Sequence, residues 1–249
     1  MSATLRKTKK HQRQEVTNMD GIRSIAKMLL YLPIEKDPQI PIVVYHPFTT
    51  SPVTFLQMPD GPKSINLDIP EDMIVWRERV EKLIDACTRP MQVYLMVTQS
   101  YKTGFLRLAE PYLGTQDLPA IVRAVWQETE YVNAGVNVPR QEFVRLFKEC
   151  GKEALMDKEE LEQLDALPNH VTIYRGVVSG KEKSAKSISW TLDPAVAKRF
   201  AEHKLPGRSN GKVFTTTVPK TAILAFFSDE SEVLVNPRSL KEIHEYSPA

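Results

Sequence analysis

The chain has 249 residues, of which 42% are hydrophobic and 26% charged, a composition typical of a globular protein with one large domain or two small ones. Its formal net charge of +2 is too small to indicate a nucleic-acid partner for the whole chain. The cysteines and histidines show no metal-ligand spacing, so no metal site is predicted. The start MSATLRKTKK lacks the apolar segment of a signal peptide, and no stretch approaches the roughly 18 apolar residues of a membrane span. We therefore expect a soluble, cytoplasmic protein with no membrane partner.

The amino terminus is basic and contains no acidic residue before position 14. Its charged residues are Arg6, Lys7, Lys9, Lys10 and Arg13. Such a segment has little apolar surface to bury, so residues 1–20 are predicted to form a disordered tail. The tail would either bind RNA, DNA or an acidic partner electrostatically, or be a solvated terminus with no binding role.

Residues 21–112 are predicted to form a smaller α+β region of unknown role. An amphipathic helix is expected at GIRSIAKMLLYL. The prolines that recur from Pro33 to Pro70 exclude a long helix and favour short strands or loops. A second helix is expected at EDMIVWRERVEKLIDACT, and MQVYLMVTQ has the apolar run of a buried strand.

Residues 113–249 are predicted to contain a helical layer followed by a β-rich core. The helical pattern covers LPAIVRAVWQETEYV, PRQEFVRLFKECGKEALM and DKEELEQLDAL, with Asp157 as a possible N-cap. After Pro168 the pattern changes to short strands at close spacing, with one helix at DPAVAKRFAEH. The predicted strands are VTIYRGV, KSISWTL, GKVFTTTV, AILAFF, SEVLV and EIHEYS. The predicted fold class is therefore α+β.

Arg175 lies at the end of an alternating apolar segment, where its side chain is expected at the margin of a sheet. The planar guanidinium presents paired donors that suit bidentate binding of phosphate oxygens. The alternative is an ion pair with a nearby acid at the end of the strand.

Ser189 and Thr191 are two residues apart on a predicted strand and are expected on the same face, where they could line a ribose or support a carboxylate. The alternative is the ordinary strand propensity of threonine with a buried, satisfied hydroxyl. Glu230 and Glu232 are likewise expected to share a face, roughly 6 to 7 Å apart. Two like charges in a cleft are costly, so the alternative is an exposed edge.

These segments together resemble the ADP-ribosyltransferase fold of the arginine-serine-glutamate class. In that class a strand ends in Tyr-Arg-Gly, a second strand carries Ser-x-Ser/Thr before a helix with Ala-x-x-Phe, and a later strand carries Glu-x-Glu-Val-Leu. The corresponding segments here are Tyr174–Gly176, Ser189–Thr191 with Ala197 and Phe200, and Glu230–Leu234. The resemblance covers residues 169–237 and implies a split β-sandwich core. Trp190 departs from it, because the motif often has a small residue there.

The resemblance also implies roles for these residues. Glu232 would bind the ribose of NAD and stabilise the oxocarbenium ion as nicotinamide leaves, and Glu230 would orient or deprotonate the acceptor. NAD would be bound by Arg175, Gly176, Ser189, Trp190, Thr191 and Phe200. For Phe200 the alternative is a place in the core, because an aromatic side chain on an amphipathic helix usually packs inward.

The implied function is mono-ADP-ribosylation of a macromolecule with NAD as co-substrate, and the Glu-x-Glu pair favours protein arginine as the acceptor. The main alternative is a nucleobase of RNA or DNA. Further alternatives are an NAD glycohydrolase and a catalytically degenerate binding module. Small members of this class often act as toxins in toxin-antitoxin or phage-defence settings, so an antitoxin or inhibitory partner is also implied.

Overall fold

The computed structural model describes residues 13–58, 61–129, 137–202 and 211–247, and the protein is a mixed α+β chain. It divides into two compact units, Met1–Ile121 and Val122–Ala249. Of the predicted tail at 1–20, residues 1–12 lie outside the described residues. In the described part of the tail, Arg13 Nη1 donates to the backbone oxygens of Glu110 at 2.6 Å and Leu113 at 3.1 Å.

The first unit combines helices with short antiparallel hairpins. Its helix α1 begins after the N-cap Asn18, whose side chain accepts a hydrogen bond from the amide of Gly21 at 2.9 Å. Its elements are α1 (Met19–Leu30), β1 (Glu35–Lys36), β2 (Val44–Tyr45), β3 (Val53–Met58), β4 (Gly61–Asn66), α2 (Pro70–Ala86), α3 (Pro90–Met96), α4 (Lys102–Ala109) and the start of α5 (Leu118–Glu128). The two predicted helices correspond to α1 and α2, and the predicted short strands correspond to β1 to β4, so these predictions are confirmed.

The prediction of a buried strand at MQVYLMVTQ is wrong, because this segment forms helix α3. Pro90 occupies the first helical turn, where its missing N–H is no loss, and Gln92 Oε1 accepts the backbone N–H of Arg89 at 2.9 Å. Val93 and Tyr94 are buried whereas Leu95 is exposed, which is burial on one side of a helix. A short apolar run does not distinguish the two structures by periodicity alone.

The second unit contains the rest of α5, a group of helices and a six-stranded sheet. The N-cap role predicted for Asp157 is confirmed, since its side chain accepts from the amide of Glu160 at 2.9 Å. The elements after α5 are α6 (Arg140–Cys150), α7 (Lys152–Leu155), α8 (Lys158–Ala166), β5 (His170–Val177), β6 (Ser189–Thr191), α9 (Pro194–Glu202), β7 (Lys212–Pro219), β8 (Ile223–Phe227), β9 (Glu232–Val235) and β10 (His244–Glu245).

The strands predicted after Pro168 are confirmed, and they form one antiparallel sheet in the order β10-β7-β5-β6-β9-β8. β5 pairs with β7 along its whole length, from His170 opposite Pro219 to Val177 opposite Lys212. In contrast, β5 and β6 are joined by one residue pair, Tyr174 opposite Thr191. The sheet is thus divided into two three-stranded groups that meet at this pair.

Packing within the second unit fixes the helices near this junction. Trp126 of α5 contacts the rings of Phe143 and Phe147 in α6 edge-on, with centroids 5.3 and 5.1 Å apart. Helix α9 lies so close to β5 that a Cβ at Gly176 would be 1.9 Å from the backbone oxygen of Ala197. Glycine at this position is therefore required for close packing.

None of the helices within the described ranges is long and apolar enough to cross a membrane.

Candidate functional site

Three of the predicted site residues lie on neighbouring strands. Arg175 is on β5, Ser189 begins β6 and Glu232 begins β9, and these strands are adjacent in the sheet. Thr191 of β6 lies opposite Glu232 of β9 in the register. The two groups of strands therefore place these residues together at their junction, although they are far apart in the sequence.

Glu232 has two hydrogen-bond donors that carry no charge. The indole Nε1 of Trp126 donates to its Oε2 at 3.1 Å, and the side chain of Ser189 also hydrogen-bonds the carboxylate. Burial raises the pKa of Glu232 above its usual value, and the two hydrogen bonds and the nearby Arg175 partly oppose this. The site thus holds a carboxylate that is poorly solvated but lacks a directly bonded cation among its named partners.

Arg175 reaches the same junction from β5, which continues past it to Val177, so it is inside the strand instead of at its end. Its Nη1 donates to the backbone oxygen of Ser189 at 2.6 Å, whereas its buried Nε has no hydrogen-bond partner. Burial is the largest cause that lowers the pKa of Arg175 to about 10, and Glu232 acts in the opposite direction. The guanidinium remains a cation at neutral pH, and its buried Nε is a donor without a partner.

A second guanidinium near Arg175 was not among the predicted site residues. Arg140, the first residue of α6, donates through Nη1 to the backbone oxygen of Lys186 at 2.8 Å. Its charge also lowers the pKa of Arg175, so the two cations interact. Arg140 bonds the segment that leads into β6, and Arg175 bonds the first residue of β6, Ser189. Two interacting cations beside one segment can bind an anion that carries several oxygens.

Thr191 follows its alternative interpretation, because its hydroxyl is buried and is satisfied by hydrogen bonds within the fold. Its hydroxyl donates to the backbone oxygen of Glu230 at 2.7 Å and accepts the amide of Asp193 at 3.1 Å. The residue is 5% exposed. Its hydroxyl therefore ties β6 to the turn before β9, whereas the hydroxyl of Ser189 faces the Glu232 carboxylate.

The prediction that Glu230 and Glu232 share a face of one strand is wrong. β9 begins at Glu232, and Glu230 lies in the preceding turn, where the amide of Ser231 bonds the oxygen of Ser228 at 3.1 Å. Ser231 has a φ of 48°, which interrupts the alternation of an extended chain. The carboxylate of Glu230 is exposed, yet its charge is close enough to help raise the pKa of Glu232.

The aromatic residues predicted to bind the cofactor have different surroundings. Trp190 is 2% exposed and its Nε1 donates to the backbone oxygen of Ser187 at 3.0 Å, so its side chain belongs to the core. Phe200 on α9 is 49% exposed, and its alternative interpretation as a core residue is wrong. Gly176, predicted to contact the cofactor, is packed against α9.

A surface pocket of about 420 Å³ lies beside α9, away from this cluster of charges. Its lysines already have acidic partners, with Lys212 Nζ 2.7 Å from Glu245 and Lys198 Nζ 3.8 Å from Glu202. The lining includes none of Arg175, Ser189 and Glu232. The junction of β5, β6 and β9 is the better candidate, because it combines a carboxylate of raised pKa with an unpaired buried donor.

The sequence does not predict the contact of Trp126 with Glu232, because the pattern of α5 indicates only a helix in the helical layer. A buried indole N–H usually has a hydrogen-bond partner, so a tryptophan on an otherwise apolar helix face is a signal for a polar group opposite it. The sequence does not identify that group, which lies 106 residues away.

No protein-family model, curated protein or solved structure matches the chain.

Proposed function

We propose that the protein is a mono-ADP-ribosyltransferase that cleaves NAD and transfers ADP-ribose to arginine side chains of a protein acceptor. The observation that carries the proposal is the contact of Ser189 with both Glu232 and Arg175, through its hydroxyl and its backbone oxygen respectively. The division of the sheet into two groups that meet at this place supports the split β core of the ADP-ribosyltransferase fold.

Glu232 would act on the nicotinamide half of NAD. The bond between the ribose carbon and the nicotinamide nitrogen breaks, and the electron pair leaves with nicotinamide. The sugar then carries the positive charge of an oxocarbenium ion, which a carboxylate stabilises best where water does not screen it. The raised pKa of Glu232 reflects such an environment.

Arg175 and Arg140 would bind the pyrophosphate. A guanidinium forms paired hydrogen bonds with phosphate oxygens, and the buried Nε of Arg175 is a donor without a partner. Bound phosphate would also relieve the repulsion that Arg140 exerts on Arg175. The dinucleotide would thus be held by cations at its pyrophosphate and by a carboxylate at its reacting sugar.

Glu230 would meet the acceptor, because its carboxylate is exposed in the turn next to Glu232. An acceptor guanidinium would be drawn in by this charge, and its nitrogen would attack the sugar carbon and give up a proton to the Glu230 carboxylate. A nucleobase amine could attack in the same way, so protein and nucleic-acid acceptors have to be distinguished by the labelling experiment that follows.

The test is incubation of the full chain with labelled NAD and a cell lysate, followed by protease or nuclease. We expect protease alone to remove the label, and Glu232→Gln to lower labelling by about a thousandfold or more, since the charge that stabilises the transition state is lost. Glu242→Gln, which changes a well-exposed carboxylate, is the matched control and should label fully. Full labelling by Glu232→Gln would exclude Glu232 from the mechanism.

A nicotinamide-release assay with and without lysate separates the proposed transferase from the other activities. Release at an equal rate without any acceptor would indicate an NAD glycohydrolase, and no release would indicate a binding module. Loss of label with nuclease would replace the arginine acceptor by a nucleic acid.

A further inference from the structure

We propose that Trp126 is a positioning residue for Glu232, and that its indole N–H sets the orientation of the carboxylate and stabilises its charged form. This inference rests on the function proposed above, because it gives Trp126 a role in the reaction of Glu232.

The indole of Trp126 is held where it cannot turn away from Glu232. Trp126 is 6% exposed, and its Nε1 lies 3.1 Å from Glu232 Oε2. Phe143 and Phe147 meet its ring edge-on, at interplanar angles of 72° and 80°. Their own rings are stacked 5.9 Å apart. Aromatic packing in α5 and α6 therefore fixes the direction of the N–H bond before any substrate binds.

A neutral donor has a specific consequence for the chemistry of this carboxylate. Burial disfavours the charged form of Glu232, and hydrogen bonds from Trp126 and Ser189 favour it. A lysine or arginine bonded in the same place would also favour the charge, but it would neutralise the field that must stabilise an oxocarbenium ion. The indole N–H favours the ionised form of the carboxylate and leaves its negative charge available to the substrate.

The other buried indole of the second unit shows the ordinary arrangement. Trp190 donates its N–H to the backbone oxygen of Ser187, at nearly the same distance of 3.0 Å. That bond satisfies a buried donor and involves no ionisable group. Trp126 differs because its partner is the carboxylate on which the proposed reaction depends.

The first test is Trp126→Phe in the full chain, which keeps an aromatic ring and removes the N–H. We expect the rate of nicotinamide release to fall on the order of 10- to 100-fold, as for loss of a hydrogen bond to a charged group. We also expect the pKa of Glu232 to rise, which carboxyl NMR of glutamate-labelled protein would measure, with Glu232→Gln to assign the signal. The limb of the pH–rate profile that reports this carboxylate should shift to higher pH by the same amount.

Trp190→Phe is the matched control, because it removes one buried indole N–H from the same unit. It should lower the melting temperature about as much as Trp126→Phe does, and it should leave the pKa of Glu232 unchanged. The proposal is overturned if Trp126→Phe leaves both the pKa and the release rate unchanged, or if the two variants shift the pKa of Glu232 equally.

A second measurement needs no stable tryptophan variant. In protein with labelled indole nitrogens, the N–H signal of Trp126 should shift with pH at the midpoint of Glu232, and Glu232→Gln should abolish that shift. A signal that does not titrate in the unaltered protein would overturn the proposal. This titration also separates the two proposals, since it can succeed in a protein that releases no nicotinamide.

Discussion

Two carboxylates of the second unit, Glu160 and Glu232, have opposite surroundings. Glu160 is 1% exposed, and Arg123 binds both of its oxygens, at 2.6 and 2.8 Å. It also accepts the backbone amides of Asp157 at 3.0 Å and Ser228 at 3.3 Å. Its charge is thus neutralised by a bidentate partner, and the group links α5, α8 and the turn after β8. Such a carboxylate has no capacity left for a substrate.

Glu232 receives neutral donors from Trp126 and Ser189, and Arg175 acts on it across a distance. Its pKa is raised because these contacts do not fully replace the lost water. Burial alone therefore does not distinguish a structural acid from a reactive one. The difference lies in whether a cation is bonded directly to the carboxylate.

The largest expected effect on stability is that of Glu160→Gln. The substitution leaves the guanidinium of Arg123 beside an amide and without its anion, so the free energy of unfolding should fall by about 3 to 5 kcal/mol. Chemical denaturation monitored by circular dichroism would measure this loss.

Glu159→Gln is the control, since Glu159 is the exposed neighbour of Glu160 in the same helical turn. It should change stability by no more than about 0.5 kcal/mol. Equal losses in the two variants would mean that the ion pair of Glu160 with Arg123 does not stabilise the unit.

The sequence was sufficient to predict the strands and most helices of the second unit, and it placed three candidate residues on those strands, whereas Trp126 and Arg140 were not among them. Arg175, Ser189 and Glu232 could be selected because each lies on a recognisable strand. The pairing of Arg123 with Glu160, 37 residues away, could not be selected in the same way. Such pairs depend on how the helices pack in the tertiary structure, and a single sequence does not show which distant residues will be in contact.

Local backbone geometry explains two of the errors. The sequence pattern predicts a strand through Glu230, but the left-handed φ of Ser231 ends the alternation between Glu230 and Glu232. The apolar run at residues 90–96 suggests a strand although the segment is a helix, because a run of this length suits either structure. In both places a single turn or cap decides the conformation.

Arg175→Lys tests whether the guanidinium of Arg175 binds NAD through paired hydrogen bonds. Lysine keeps the charge but loses the planar fork and the unpaired Nε, so affinity for NAD should fall on the order of 10- to 100-fold. Isothermal titration of NAD into each variant would measure it. Arg145→Lys is the control, because its guanidinium bonds Glu142 on the exposed side of α6. Unchanged affinity in Arg175→Lys would exclude a bidentate role for Arg175.

The smallest expected effect concerns the stability of Glu232→Gln as a function of pH. The folded protein holds the Glu232 proton to a higher pH than the unfolded chain does, because the pKa is raised on folding. Between the unfolded value near 4.5 and the raised folded value, the unfolded chain binds fewer protons, so the stability of the unaltered protein falls as pH rises.

Glutamine cannot ionise, so Glu232→Gln should match the unaltered protein below pH 4.5 and exceed its stability toward neutral pH. Melting temperatures across this pH range would test it. A variant less stable than the unaltered protein at neutral pH would indicate that the charged form of Glu232 stabilises the fold, as a paired carboxylate does. Glu232 would then belong with Glu160, and the distinction between a structural and a reactive carboxylate would not hold for this unit.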